Sequence, residues 1–474
     1  MAGGQLAAIE HIVVLMLENR SFDHMLGFLY EDQGNLSPAG DPFEGLTGTE
    51  SNTDANGTEV TVFKIDPARA GAYFMPGSDP GEGYSATNLQ LFGADPAPDP
   101  ATATNSGFLT NFAATLALAK QRHHPVGPGT VPGDIMGIYP PQMLPVLSGL
   151  ARGYAVCDHW FCSVPTETIP NRAFVAAATS QGHMNDLTKS FTVPTIFGLL
   201  TAKDISWKIY GYDKDPLTRL DFPETTQAPA THFGLFPDFR SDAAAGHLPA
   251  YAFLEPGWGS AGNSQHPAYD VAKGEQLIHD VYRALRDGPG WGQTLLIVTY
   301  DEHGGCYDHV PPPGGAIPPD GAAGEYGFDF RRFGVRVPTV LVSPLIAPGT
   351  VFRVPAGSMP LDHTSILKTV ESRWGLAALT ARDAAAPDVA DALILETPRD
   401  DDPLAGVVVP QSSGANPAAG TPSHLDQVHA ELVSALPLSP QERTATPSLG
   451  ELRTPADYDS YIRSRVARWQ QNRA

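Results

Sequence analysis

Two runs of branched apolar residues constrain this chain more than anything else in it: Ile12-Val13-Val14-Leu15-Met16-Leu17 and Thr294-Leu295-Leu296-Ile297-Val298-Thr299-Tyr300. Neither alternates apolar with polar residues, so each reads as a strand buried on both faces, the form parallel strands take between helical layers. Both runs end on acids or amides. Glu18-Asn19 follows the first, His11–Leu17, and Asp301-Glu302 follows the second. Residues 337–343 repeat the design after Arg336, and Tyr251–Leu254, ending at Glu255, is a weaker fourth. Between them lie helical patterns over 142–153, 171–181, 193–203, 271–287 and Thr364–Trp374, with a last helix near Pro455–Gln471. Strands alternating with helices predict an α/β fold, a central mostly parallel sheet flanked by helices, with ligands bound beyond the carboxyl ends of the strands.

At 474 residues, 42% of them apolar, the chain has material for one large domain with decorations. Two stretches, roughly 31–107 and 376–450, are rich in Gly, Pro, Ala and Asp and read as loop-rich insertions over the scaffold. Lys and Arg number 30 against 52 Asp and Glu, a formal charge of -22. That field repels nucleic acid and anionic membranes, and it slows anionic substrates unless a bound cation or local basic residues reverse it at the site. Cys157, Cys162 and Cys306 are too few for a disulfide framework and read as reduced thiols, although the five-residue spacing of the first two is compatible with one bridge. No basic n-region, long apolar h-region or twin arginine precedes the first strand, and no stretch of eighteen apolar residues follows it. The expectation is a cytoplasmic protein without a transmembrane segment, or a secreted one whose leader lies outside this sequence.

Three segments carry the chemistry. Glu18-Asn19-Arg20-Ser21-Phe22-Asp23-His24 packs polar residues directly after a buried strand; a helix cap at Ser21 accounts for part of it but leaves Glu18 and Asn19, both good hard-cation ligands, unexplained. Asp301-Glu302-His303-Gly304-Gly305-Cys306-Tyr307-Asp308-His309 places three carboxylates within eight residues, which repel one another unless a cation or proton neutralises them. The alternative is a solvated acidic loop. In Thr166-Glu167-Thr168-Ile169-Pro170-Asn171-Arg172 a hydroxyl precedes a helix opening near Pro170, where backbone N–H groups favour phosphate and Asn171 and Arg172 add donors. Locally, Thr168 is either an N-cap or a nucleophile.

Together these segments resemble, in order and separation, the three signature segments of the phosphoesterase family that contains bacterial phospholipases C, plant non-specific phospholipases C and acid phosphatases. Further similarity lies at Gln265-His266-Pro267 with Asp270-Val271 and at Asp362-His363-Thr364-Ser365, so the resemblance spans roughly residues 8–375. It implies an alkaline-phosphatase-like fold, Thr168 as nucleophile, and a divalent cation held by Glu18, Asn19, Thr168, Asp301 and Glu302. It assigns His266 and His363 to phosphate binding or proton transfer, and Lys208 resembles a family lysine near the phosphate, though a lysine on a strand is also often at the surface. Asn171 is expected to hydrogen-bond the phosphate. The oxygen-rich ligand set suits Ca²⁺, Mg²⁺ or Mn²⁺, with Zn²⁺ less favoured unless a histidine joins the shell.

One position departs from the family pattern. Where family phospholipases often carry Asp-Pro-Gly-His, this chain has Asp79-Pro80-Gly81-Glu82. Glu82 there replaces a potential cation by an anion, which could bind metal, raise a neighbouring histidine pKa, contact a cationic head group, or be a plain loop glutamate. The substrates expected are a phosphoester small molecule or a phospholipid head group. A phospholipase-C-like phosphodiesterase ranks first, an acid-phosphatase-like monoesterase second and a non-catalytic phospholigand-binding protein third.

Overall fold

The computed structural model describes residues 5–99, 101–187, 190–412, 416–438 and 447–472. Eight strands form its central sheet: β1 (His11–Leu17), β2 (Ala155–Val156), β3 (Trp207–Gly211), β4 (Phe233–Leu235), β5 (Tyr251–Leu254), β6 (Thr294–Tyr300), β7 (Val340–Val342) and β8 (Thr350–Val351). Their order across the sheet is β8-β2-β7-β6-β1-β5-β3-β4. β1 lies at the middle, parallel to both β5 and β6.

The two apolar runs form the strands they predict because every residue from Ile12 to Leu17 and from Thr294 to Tyr300 is buried. Each large apolar side chain so buried contributes about 1.5–3 kcal/mol, and β-branching suits the pleated backbone. The third run is shorter than 337–343 and pairs antiparallel, Leu296 facing Val342 and Val298 facing Val340. β7 also pairs antiparallel with β2, so the sheet is mixed but mostly parallel. Continuous apolar character reports burial on two faces and carries no sign of strand direction.

Helices flank the sheet. Thr364–Trp374 and Pro455–Gln471 match their sequence patterns, and Val271–Arg286 begins at an Asp270 side chain that accepts from Ala272 N. The pattern at 171–181 is a helix over Thr168–Ala177, earlier than expected, because the Asp186 carboxylate accepts from Ile169 N at 2.7 Å and fixes the first turn. It stops where Ala178 turns to φ 56.

The stretches read as loops are better packed than their composition suggests. Within 31–107 lie a short hairpin, Ser51–Thr53 with Glu59–Thr61, and the helix Tyr84–Phe92. Leu91 joins Phe108, Leu109, Phe112 and Ile135 in a second apolar core beside the main one. Within 376–450, of which 413–415 and 439–446 lie outside the described residues, the helix His424–Ser434 packs against the last helix. All three cysteines are free and buried. Among the described residues no helix is long and apolar enough to cross a membrane.

Candidate active site

β1 and β6 pair in a parallel register running from His11 opposite Thr294 to Leu17 opposite Tyr300. A slip by one residue would turn every buried side chain to the other face, so the register is strongly specified. The next residues therefore emerge side by side, Glu18-Asn19 against Asp301-Glu302, and none of the four is more than 4% exposed. Asn19 adopts φ 58, a left-handed conformation asparagine tolerates, and its N–H donates to Asp301 Oδ1 at 2.9 Å. Glu302 N–H reaches the same oxygen at 2.8 Å, while Arg172 Nε donates to Asp301 Oδ2 at 2.9 Å. Asp301 is thus held at both oxygens.

The Gly-Gly after this pair has a steric reason. Gly304 has φ +61 and a Cβ there would stand 2.2 Å from Asn19 O; one on Gly305, at φ +65, would stand 2.4 Å from Gly81 O. Here the Gly304-Gly305 turn packs against the backbone of Asn19 and of Gly81 at distances no side chain permits.

Thr168 is the first residue of its helix and 1% exposed. Its hydroxyl caps no helix N–H; instead it donates to Asn19 Oδ1 at 3.0 Å. The N-cap reading of Thr168 therefore falls away, since Glu167 occupies that position. On the other side of the same amide, Asn19 Nδ2 donates to Glu82 Oε2 at 2.5 Å. Glu82 does stand in the Thr168 pocket.

Two carboxylate oxygens of this group, Glu18 Oε2 and Glu302 Oε1, are buried with no hydrogen-bond partner. Burial raises the pKa of both acids, with the Asp301 charge adding to it in each case. An unpartnered buried carboxylate is costly, and a hard cation among oxygen donors satisfies it. The donor set fits such an ion.

Thr168, Glu18, Glu82 and His266 line one cavity of about 430 Å³. His266 presents Nε2 to it, because its Nδ1 donates to Pro267 O at 3.0 Å. Burial disfavours its charge, but the Asp79 and Glu18 carboxylates outweigh that and raise its pKa above the usual histidine range. Arg20 holds the loop in place, donating to Gln265 O at 2.5 Å and His266 O at 3.1 Å.

Three expected residues do not reach this cavity. His363 is fully buried behind Asp301: its Nε2 donates to Asp301 O at 2.6 Å and its Nδ1 accepts from Trp160 Nε1 at 3.4 Å. With both ring nitrogens engaged it orients Asp301 and has no proton to offer substrate. Asn171 spends its amide on the preceding loop, accepting from Val164 N and donating to Val164 O, Thr166 O and Glu167 O. It shapes the turn into the helix instead of meeting phosphate. Lys208 is paired with Asp242 at 2.8 Å, beside Tyr210 on β3.

Two residues outside the expected set take their places. Asp186 lines the cavity and fixes the first turn of the Thr168 helix. His424 lies 3.8 Å from Asp186 Oδ2 on the cavity wall. Nothing around Asp186 distinguishes it in sequence, whereas the Ser423-to-Asp426 capping box would have located the His424 helix.

The sequence profile of the Phosphoesterase family matches residues 9–377, covering the strand ends, the Thr168 helix and His363. The chain belongs to the Phosphoesterase family. It is a hydrolase of phosphoric ester bonds, akin to the non-specific phospholipases C. "Non-specific phospholipase C6" of Arabidopsis thaliana is 38% identical over 416 residues, 84% of this chain and 74% of that protein. "Phospholipase C A" of Mycobacterium tuberculosis is 30% identical over 444 residues, 83% of this chain and 79% of that one. Among solved structures, a protein of the alkaline phosphatase superfamily from Vibrio parahaemolyticus is similar over 56% of this chain and 69% of that chain, at 14% identity and TM-score 0.32.

Proposed function

We propose that this phosphoesterase is a metal-dependent, phospholipase-C-like phosphodiesterase in which Thr168 attacks phosphorus. The observation that carries the reading is the Thr168 hydroxyl held 3.0 Å from Asn19 Oδ1 beside two buried, unpartnered carboxylate oxygens. Glu18, Asn19, Asp301 and Glu302 would hold the cation, with Thr168 Oγ completing the shell. A divalent ion bound there supplies Lewis-acid polarisation of the threonine oxygen and of the phosphoryl group, which a free hydroxyl at neutral pH needs. Oxygen ligands favour Ca²⁺, Mg²⁺ or Mn²⁺.

The chain's own groups set the geometry. Asn19 fixes the Thr168 rotamer, but an amide oxygen is no base, so the hydroxyl proton passes to water in the cavity as the oxygen attacks phosphorus. Arg172 steadies Asp301 through its Nε and keeps a buried Nη1 without a hydrogen-bond partner. The first turn of the Thr168 helix adds its dipole. In-line attack gives a phosphothreonine while His266 Nε2–H protonates the departing alcohol oxygen; water then attacks phosphorus, giving its proton to the neutral His266, and the Thr168 oxygen leaves and regains a proton from water, with overall retention at phosphorus. Similarity to phospholipases C supports a phosphodiester with a phospholipid head group as substrate.

Assays on bis-p-nitrophenyl phosphate, p-nitrophenyl phosphate and phosphatidylcholine test this. The reading predicts diester turnover well above monoester turnover and its loss on chelation. Monoester preference would make the protein an acid-phosphatase-like enzyme, and full activity after metal analysis finds no ion would overturn the scheme.

A further inference from the structure

The helix Phe108–Gln121 has an outer face unlike the rest of this acidic surface. Thr110, Ala114, Ala117, Leu118 and Gln121 are exposed on it, and no charged residue occurs from Phe108 to Ala119. Leu118 is 41% exposed. Basic residues then come together: Lys120, Arg122, His123 and His124 fall within five positions, all exposed and with no acid among them. Lys120 Nζ donates to Thr130 O at 3.3 Å, which brings Val131, 52% exposed, to the same edge. A helix carboxyl end attracts cations on its own account, but the dipole does not explain the uncharged exposed face that precedes it.

This helix also borders the cavity of Thr168. Thr115, Leu118, Ala119 and Arg122 form one helical stripe along its wall, and Arg122 is the only Lys or Arg among the described lining residues. Leu118 therefore belongs both to the cavity wall and to the outer face.

Cavity size decides what a lipid substrate leaves outside. Thr168 is 1% exposed, and the cavity holds about 430 Å³. Pockets of ~300–1,000 Å³ take one drug-sized ligand. A phospholipid whose phosphorus reaches Thr168 fills that space with its head group and leaves its acyl chains at the mouth, beside Leu118.

We infer that the face of this helix from Ala114 to Leu118, with Arg122 and His123 at its end, docks the enzyme on a zwitterionic phospholipid surface. The inference rests on the proposed function and deepens it by naming the form in which the substrate is met, a lipid still in its assembly. The alanines and Leu118 enter the interface, and Arg122 and His123 pair with lipid phosphates, the two contributions from which interfacial helices draw their binding. One leucine among alanines makes the contact shallow and reversible. The chain's formal charge of -22 opposes an anionic bilayer, so the complementary surface is a neutral one whose phosphates meet a local basic cluster.

The test separates lipid in vesicles from a soluble ester. Full-length protein is sedimented with phosphatidylcholine vesicles, and turnover of vesicle lipid is compared with turnover of bis-p-nitrophenyl phosphate. The double variant Ala114→Glu, Ala117→Glu charges the face at two positions that line no part of the cavity, with a residue that favours helix. It should lose vesicle binding and at least about tenfold of lipid turnover, while soluble-diester turnover and melting temperature match wild type. Binding and lipid turnover equal to wild type would overturn the docking face, as would a wild type that fails to sediment with vesicles. A second measurement does not depend on the folding of that variant. The three native cysteines are buried, so Ala117→Cys can be labelled with a polarity-sensitive dye, whose emission should shift to the blue when vesicles are added. No shift would also overturn the inference. A wild type that binds vesicles through this face yet hydrolyses neither lipid nor soluble diester would instead overturn the proposed function.

Discussion

The Thr168 hydroxyl donates to Asn19 Oδ1 across 3.0 Å, tying the first turn of one helix to the end of a central strand 149 residues away in the chain. Asn19 is placed for this by its left-handed backbone and its N–H bond to Asp301. In the proposed mechanism, replacing Asn19 by Ala removes both the hydrogen bond that orients Thr168 and one of the residues that would hold the cation. A fall in kcat of ~10²-fold or more is expected, the scale at which misplaced reacting groups lose rate. Stopped-time assays on bis-p-nitrophenyl phosphate, with a melting curve to exclude unfolding, measure it.

Gly304 connects stability to the site. Gly304→Ala combines a strained φ of +61 with a contact of 2.2 Å to Asn19 O. The cost expected is about 1–3 kcal/mol. Urea denaturation reads the stability loss, and the metal content of the folded variant should fall with it, because Asn19 must move.

Arg336 is fully buried between Asp23 and Asp308, both themselves buried. Arg336→Met leaves buried Asp308 without its guanidinium partner and Asp23 with His309 alone, which costs about 3–5 kcal/mol. Adding Asp23→Asn and Asp308→Asn to that variant should recover part of the loss in the same urea titration.

The same cluster sets a pH dependence of stability. Burial opposes charge on His309, but Asp23, 2.7 Å away, outweighs it and raises the histidine pKa above 6.5. Burial likewise opposes charge on Asp23, and Arg336 and His309 outweigh it, lowering that pKa below 3.8. The histidine's contribution is therefore complete below 6.5 and is lost as pH rises through its raised value. That of Asp23 is present above 3.8 and lost as pH falls through its lowered value. The urea midpoint of wild type should decline on the alkaline side by a step that His309→Gln lacks.

What sequence alone made legible follows from where each signal resides. The ends of β1 and β6 could be read because burial on two faces leaves an uninterrupted apolar run, and the residue after such a run is fixed by register. Thr168 could be ranked only through resemblance, since its Asn19 partner is distant in the chain. His363, Asn171 and Lys208 lie in or near family-like segments, yet their hydrogen bonds go to Asp301 O, to loop carbonyls and to Asp242. Such pairings leave no periodicity. His424 was hidden differently, in an Ala- and Pro-rich tract whose short helix announces itself only by its cap.

The central claim is that Thr168 is the nucleophile, and acid-quenched turnover followed by peptide mass spectrometry tests it most directly. With bis-p-nitrophenyl phosphate as substrate, the account predicts a p-nitrophenyl-phosphoryl adduct on the peptide containing Thr168, absent from Thr168→Ala, which should also be inactive. An active Thr168→Ala protein, or an adduct on any other residue, would contradict it.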